Sequence, residues 1–241
     1  MRLRIKFKKY GPVRFIGHLD LMRFFQKAIR RAQIDVAYTE GFSPHQIMAF
    51  AAPLGVGLTS NGEYMDIEVN SITSCQDIME RLNKTSVYGI EVISVKVLPD
   101  TAGNAMASVA AAAYTVRFRE GREPAMPVST VLPEFLAREQ ILFTKKTKKG
   151  LKEVDLRPGI YQLNMESMES IYMLVNASSG GNIKPLHVME ALLERENFPD
   201  ESRREENSVE QSLLITREDL YTNIGTEAEP KFISLDEIGE I

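Results

Sequence analysis

The chain has 241 residues, 44% of them apolar and 26% charged, which is enough for one large or two ordinary domains with a real core. No apolar run approaches the roughly 18 residues needed to span a bilayer, and the lone cysteine, Cys75, excludes both an internal disulfide and a self-contained iron–sulfur site. The net charge of -4 hides an asymmetry: residues 1–50 hold ten Lys or Arg against three Asp or Glu, whereas the rest hold 19 against 30.

Residues 2–8 alternate strictly, with Leu3, Ile5 and Phe7 on one face and Arg2, Arg4, Lys6 and Lys8 on the other. That pattern predicts a half-buried strand. It also lacks the apolar stretch of a secretory signal, so a cytoplasmic protein with no membrane contact is expected. Tyr10-Gly11-Pro12 ends the strand, and a helix should begin near His18 to Asp20 and run to Gln33, with Asp20 serving its first turn. Strands follow near 35–38 and 47–52, joined by a Gly-Phe-Ser-Pro loop. Asn61-Gly62 reads as a turn before a strand from Glu63 to Val69. Ser74 or Thr73 can cap a helix over 75–84, and Ile90 to Leu98 is a further strand.

The order strand–helix–strands–helix–strand predicts a ferredoxin-like (split βαβ) domain over residues 1–100, followed by a linker at 101–112. The second half repeats the theme over 113–222. Tyr114–Arg119, Gly159–Asn164, Ser170–Val175 and Ser212–Thr216 read as strands. Val128–Gln140 and Pro185–Glu194 read as helices, and a hairpin at 141–156 carries a lysine-rich turn. The expected class is therefore α+β, two tandem ferredoxin-like units with antiparallel sheets, and an acidic tail at 223–241 that is either loose or docked late.

Two groups of residues bear on function. Arg23, Lys27, Arg30 and Arg31 crowd the first helix at spacings of three and four, where like charges repel by a few tenths of a kcal/mol per pair. With Arg2, Arg4, Lys6 and Arg14, and with Lys145, Lys146, Lys148 and Lys149 of the hairpin, they are candidates for holding an anion such as structured RNA. Self-pairing with the acidic half is the alternative. His18, Asp20, Glu40 and His45 are the candidates for acid–base chemistry, if they share one pocket. Asp155 is a further candidate carboxylate. No spacing among them matches a standard metal motif, and no glycine loop cradles phosphate, so no metal or cofactor is expected.

The stretches Arg14-Phe15-Ile16-Gly17-His18-Leu19-Asp20, Ala28-Ile29-Arg30-Arg31-Ala32, Tyr38-Thr39-Glu40-Gly41-Phe42-Ser43-Pro44-His45, Pro53-Leu54-Gly55-Val56-Gly57 and Glu63-Tyr64-Met65-Asp66 together resemble a bacterial family, the radical SAM-linked proteins of unknown function. Glu153-Val154-Asp155-Leu156-Arg157 extends the resemblance into the second half. It implies a partner, because members are encoded beside or fused to a radical SAM protein, but it implies no reaction. Gln46 and Ile47 depart from the Pro-Lys that usually follows His45 in that family. The function expected is an accessory protein of a radical SAM enzyme that binds or presents an anionic substrate. An RNA-modifying enzyme and a protein–protein adaptor are the alternatives, and the oligomeric state is not legible.

Overall fold

The computed structural model describes residues 1–124, 126–147, 150–193 and 209–241. It is mixed α+β, with a large, mostly antiparallel sheet. The chain divides into two compact units, Met1–Ala111 with Arg217–Ile241, and Ala112–Thr216.

In the first unit, β1 (Arg2–Lys9) leads through a 3-10 turn (Gly11–Phe15) into α1 (His18–Arg31). Then come β2 (Met48–Phe50), β3 (Thr59–Glu68), α2 (Cys75–Thr85), β4 (Ile90–Val97) and the short α3 (Ala105–Ser108). The alternation of β1 turns Leu3, Ile5 and Phe7 into the core, where they are fully buried with Phe25 and Ile29 of α1 and Ile78 and Leu82 of α2. Phe7 lies 4.7 Å from Phe25 and 6.2 Å from Phe50 between ring centroids. Ser74 caps α2 by accepting from the Asp77 amide at 3.0 Å. Asp20 does not cap α1; Gly17 is its N-cap, without a side-chain hydrogen bond. The strand expected near 35–38 is reduced to isolated bridges, Val36 to Val69 and Tyr38 to Gln46.

β1 lies between β4 and β3, antiparallel to both, and β2 pairs antiparallel with β3. On its other side β3 meets β10 (Leu213–Asn223), which in turn pairs with β11 (Phe232–Ser234). One expectation is corrected and one alternative is selected. Residues after Asn223 are docked: Leu235 is fully buried, Ser234 and Glu237 form a capping box, and Glu240 bridges Val97. Asn61-Gly62 is not a turn but lies inside β3, because β10 passes too close for any side chain. A Cβ on Gly62 would lie 2.7 Å from the Glu218 carbonyl oxygen and 2.9 Å from Asp219 Cα. Asn61 instead donates from Nδ2 to Glu218 at 2.7 Å. Gly62→Ala should therefore destabilise by about 1–3 kcal/mol, the range for forced overpacking. A urea midpoint equal to that of the unaltered protein would refute this account of the glycine.

In the second unit, β5 (Ala111–Phe118) is followed by α4 (Val128–Ala137) and a separate two-stranded ribbon of β6 (Leu142–Thr147) and β7 (Gly150–Asp155). β8 (Ile160–Ser167), β9 (Ser170–Asn176), α5 (Pro185–Leu192) and α6 (Val209–Ser212) complete it with the start of β10. The strands order β10-β5-β9-β8. Val116, Met173, Val175, Val188, Met189 and Leu192 are fully buried. Glu194 and the lysines 148 and 149 lie outside the described residues. No helix among the described residues is long and apolar enough to cross a membrane.

Candidate functional site

The first unit carries one strongly cationic helix, and its two faces are sharply different. Leu21, Phe25, Ala28 and Ile29 of α1 are buried, while Arg23, Lys27, Arg30 and Arg31 are exposed. Arg23, Lys27 and Arg30, at steps of four and three residues, form one outward stripe along α1. Asp20 stands 3.6 Å from Arg23, but both are well exposed, so that pair contributes little. Among the described residues, no carboxylate comes within ion-pair distance of Lys27 or Arg30. Arg31 turns to donate to the Thr85 carbonyl at 3.1 Å.

The basic face of β1, expected to be open, is instead covered and neutralised within its own unit. Arg4 is 1% exposed and forms a fork with Asp66, Nε to Oδ1 at 2.8 Å and a terminal nitrogen to Oδ2 at 3.0 Å. It also reaches the Leu235 carbonyl, and Asp66 accepts the Ala105 amide at 2.7 Å. Lys6 donates to Asp219 at 3.0 Å, and the Tyr64 hydroxyl and Ser234 hydroxyl donate to the same carboxylate. Burial and the Asp219 charge push the Tyr64 phenol far up. Arg2 is spent on the carbonyls of Pro99, Asp100 and Ala102. Arg4 and Lys6 thus both have carboxylate partners within their own unit. The reason is topological: β10, α3 and the 232–241 segment bring carboxylates and carbonyls to a strand face whose partners lie more than 60 residues away.

A second buried cluster was invisible in the sequence. Glu63 of β3 accepts a fork from Arg217 of β10, which also donates to the Ala52 carbonyl at 2.9 Å. Lys9, 2% exposed, donates to the Ile16 carbonyl at 3.0 Å and feels the charge of Glu63. Desolvation holds the Lys9 ammonium below the ordinary lysine range, against the opposing pull of Glu63. Between that lowered value and 10.5 the unfolded chain keeps the proton that the folded chain releases, so stability rises with pH across this window. Relative to a Lys9→Met variant, the unaltered protein should gain stability between pH 7 and 10, read as urea midpoints. Parallel curves would refute this.

The motif histidines make separate contacts. His18, the first residue of α1, sits edge-on to Phe50 at 5.2 Å between centroids. His45 closes its own loop: Nδ1 lies 3.1 Å from the Thr39 hydroxyl, and its amide donates to the same oxygen at 3.2 Å. Among the described residues, no hydrogen bond or ring contact joins His18, Asp20, Glu40 and His45 into one cluster. No group of three or more His, Cys, Asp or Glu that could hold a metal ion is found there either. Gln46 is buried and donates to the Gln26 carbonyl of α1 at 3.2 Å, which ties the loop's base to the helix. Its Oε1 and Arg14 Nε are buried with no partner among the described residues.

In the second unit, Asp155 is structural in its contacts: one oxygen accepts the amides of Ile141 and Arg157, both at 2.9 Å. Lys145 pairs directly across the ribbon with Lys152, an unfavourable like-charge register. Lys146 is placed by its backbone in β6. Its side chain, with Lys148 and Lys149, lies outside the described residues.

Residues 2–185 match the family described as uncharacterized protein conserved in bacteria, DUF2344. This chain belongs to that family. The match contains α1, the motif loops, Glu63 and Asp66. Arg217 and Asp219, which satisfy Glu63 and Lys6, lie beyond the matched stretch. No curated protein matches the sequence. DUF2344 membership therefore fixes kinship without a reaction.

Proposed function

We propose that this protein is a cytoplasmic, non-catalytic accessory of a radical SAM enzyme, and that it binds an anionic substrate of the structured-RNA class through α1. The observation that carries the reading is the exposed stripe of Arg23, Lys27 and Arg30, on which, among the described residues, only Arg23 has a carboxylate within ion-pair distance, the well-exposed Asp20. A row of phosphates would offset their mutual repulsion and release counterions. The radical SAM partner rests on the sequence resemblance alone. Two tandem split βαβ units are part of the same proposal. In support, helices follow β1 and β3 in the first unit and β5 and β9 in the second, and the strand orders β4-β1-β3-β2 and β10-β5-β9-β8 have the same pattern. The enzyme alternative has less support, because the contacts of His18, Asp20 and His45 are separate and local.

The test is fluorescence anisotropy of a labelled RNA hairpin across a salt series. Three phosphate contacts give a slope of log affinity on log salt of roughly -2 to -3. The variant with Arg23→Glu, Lys27→Glu and Arg30→Glu should lose that part of the slope and most of the affinity. An affinity indifferent to salt, or untouched by the triple change, would overturn the RNA reading. Co-purification of a radical SAM protein that survives nuclease treatment tests the partner.

A further inference from the structure

The rings that α1's neighbours expose point to what kind of RNA the stripe takes. Phe15 closes the 3-10 turn that leads into α1 and is 60% exposed, and Phe42 at the tip of the 39–45 loop is fully exposed. Large apolar rings left in water are costly, and Phe side chains are ordinarily core residues. Neither ring stands there through slack in the chain. The Phe42 loop is shut by the paired Thr39 and His45, with the Thr39 amide donating to the His45 carbonyl at 2.9 Å. Its base is tied to the middle of α1 by Gln46 and Gln26. Gly41, beside Phe42, takes a φ of +108° that only glycine adopts without strain. At the other end, the Gly57 amide donates to the Arg14 carbonyl at 2.9 Å and fixes the 3-10 turn. The Arg14 guanidinium lies 4.7 Å over the Phe15 ring, with its Nε unpartnered among the described residues.

We propose that α1 takes an unpaired stretch of RNA, with phosphates on Arg23, Lys27 and Arg30 and bases stacked on Phe15 and Phe42. This inference rests on the anion-binding reading of the same helix and sharpens it. The stripe is roughly 10 Å long, the reach of about three consecutive phosphates of one strand. A duplex hides its base faces, so exposed rings beside a cationic helix have stacking work only with bases that are already splayed out. An acidic protein segment would satisfy the stripe too, and the experiment separates it.

A labelled short oligouridylate and a blunt RNA duplex of the same length are titrated against the full chain, the Phe15→Ala and Phe42→Ala variants, and their combination. Each ring lost should weaken the oligouridylate by roughly five- to hundred-fold, with the salt slope kept and duplex affinity within about twofold. If the double variant binds oligouridylate as the unaltered protein does, while binding stays salt-dependent, base stacking is overturned and the phosphate reading survives. If the unaltered protein binds neither RNA at any salt, both fall. Loss of a co-purified protein partner in the ring variants, with RNA affinity unchanged, also overturns the inference and assigns the rings to a protein interface.

Discussion

Asp66→Ala should destabilise the first unit by about 3–5 kcal/mol, the range for stripping one partner from a buried ion pair. Arg4 would be left 1% exposed with only the distant carbonyls of Leu235 and Gly103, and the Ala105 amide would lose its acceptor. With about 2–4 °C per kcal/mol for a protein of this size, the thermal midpoint of that unit should fall by at least several degrees. The pair itself is not expected to be worth so much. Replacing both partners with apolar side chains, Arg4→Met with Asp66→Leu, removes the uncompensated charge and should recover most of the loss. A single variant within 1 kcal/mol of the unaltered protein, or a double variant worse than the single, would refute this reading of the pair.

The second large effect is an asymmetry at the Glu63 cluster. Glu63 accepts the fork of buried Arg217 and exerts a Coulombic pull on buried Lys9. Glu63→Ala strands both, so it should cost at least the about 3–5 kcal/mol expected when a buried pair loses one member. Arg217→Met leaves Glu63 with the Coulombic attraction of Lys9, and should cost clearly less. Urea unfolding of the two variants side by side checks the order. If Arg217→Met proves as damaging as Glu63→Ala, the shared-carboxylate account is wrong.

These two clusters also show why the chain alone left open whether a basic residue pairs within the protein or meets a partner. Arg4 and Lys6 alternate with core residues on β1, and alternation says only that they lie on the other face. Whether that face meets water depends on what else the fold lays against it. Here it is β10 and the 232–241 segment, which arrive with Asp219, Ser234 and the Leu235 carbonyl. The Asn61-Gly62 dipeptide misled for a related reason: glycine served a close approach by a distant strand, which looks in sequence like a turn. The α1 stripe was legible because its cause is local. Three residues at helical spacing share a face wherever the helix packs, and the buried residues fix which face turns outward.

The α+β class, α1 and α2 with their core faces, the alternation of β1 and the family motifs are all legible along the chain, because periodicity and capping act between near neighbours. Which charges are paired internally was left to the tertiary structure. It removed Arg4, Lys6 and Lys9 to buried partners, kept His18 and His45 in separate local contacts, and left Arg23, Lys27, Arg30, Phe15 and Phe42 facing water. Ion pairing and burial are set by residues that are remote along the chain and adjacent across strands. Their partners become known only with register and topology.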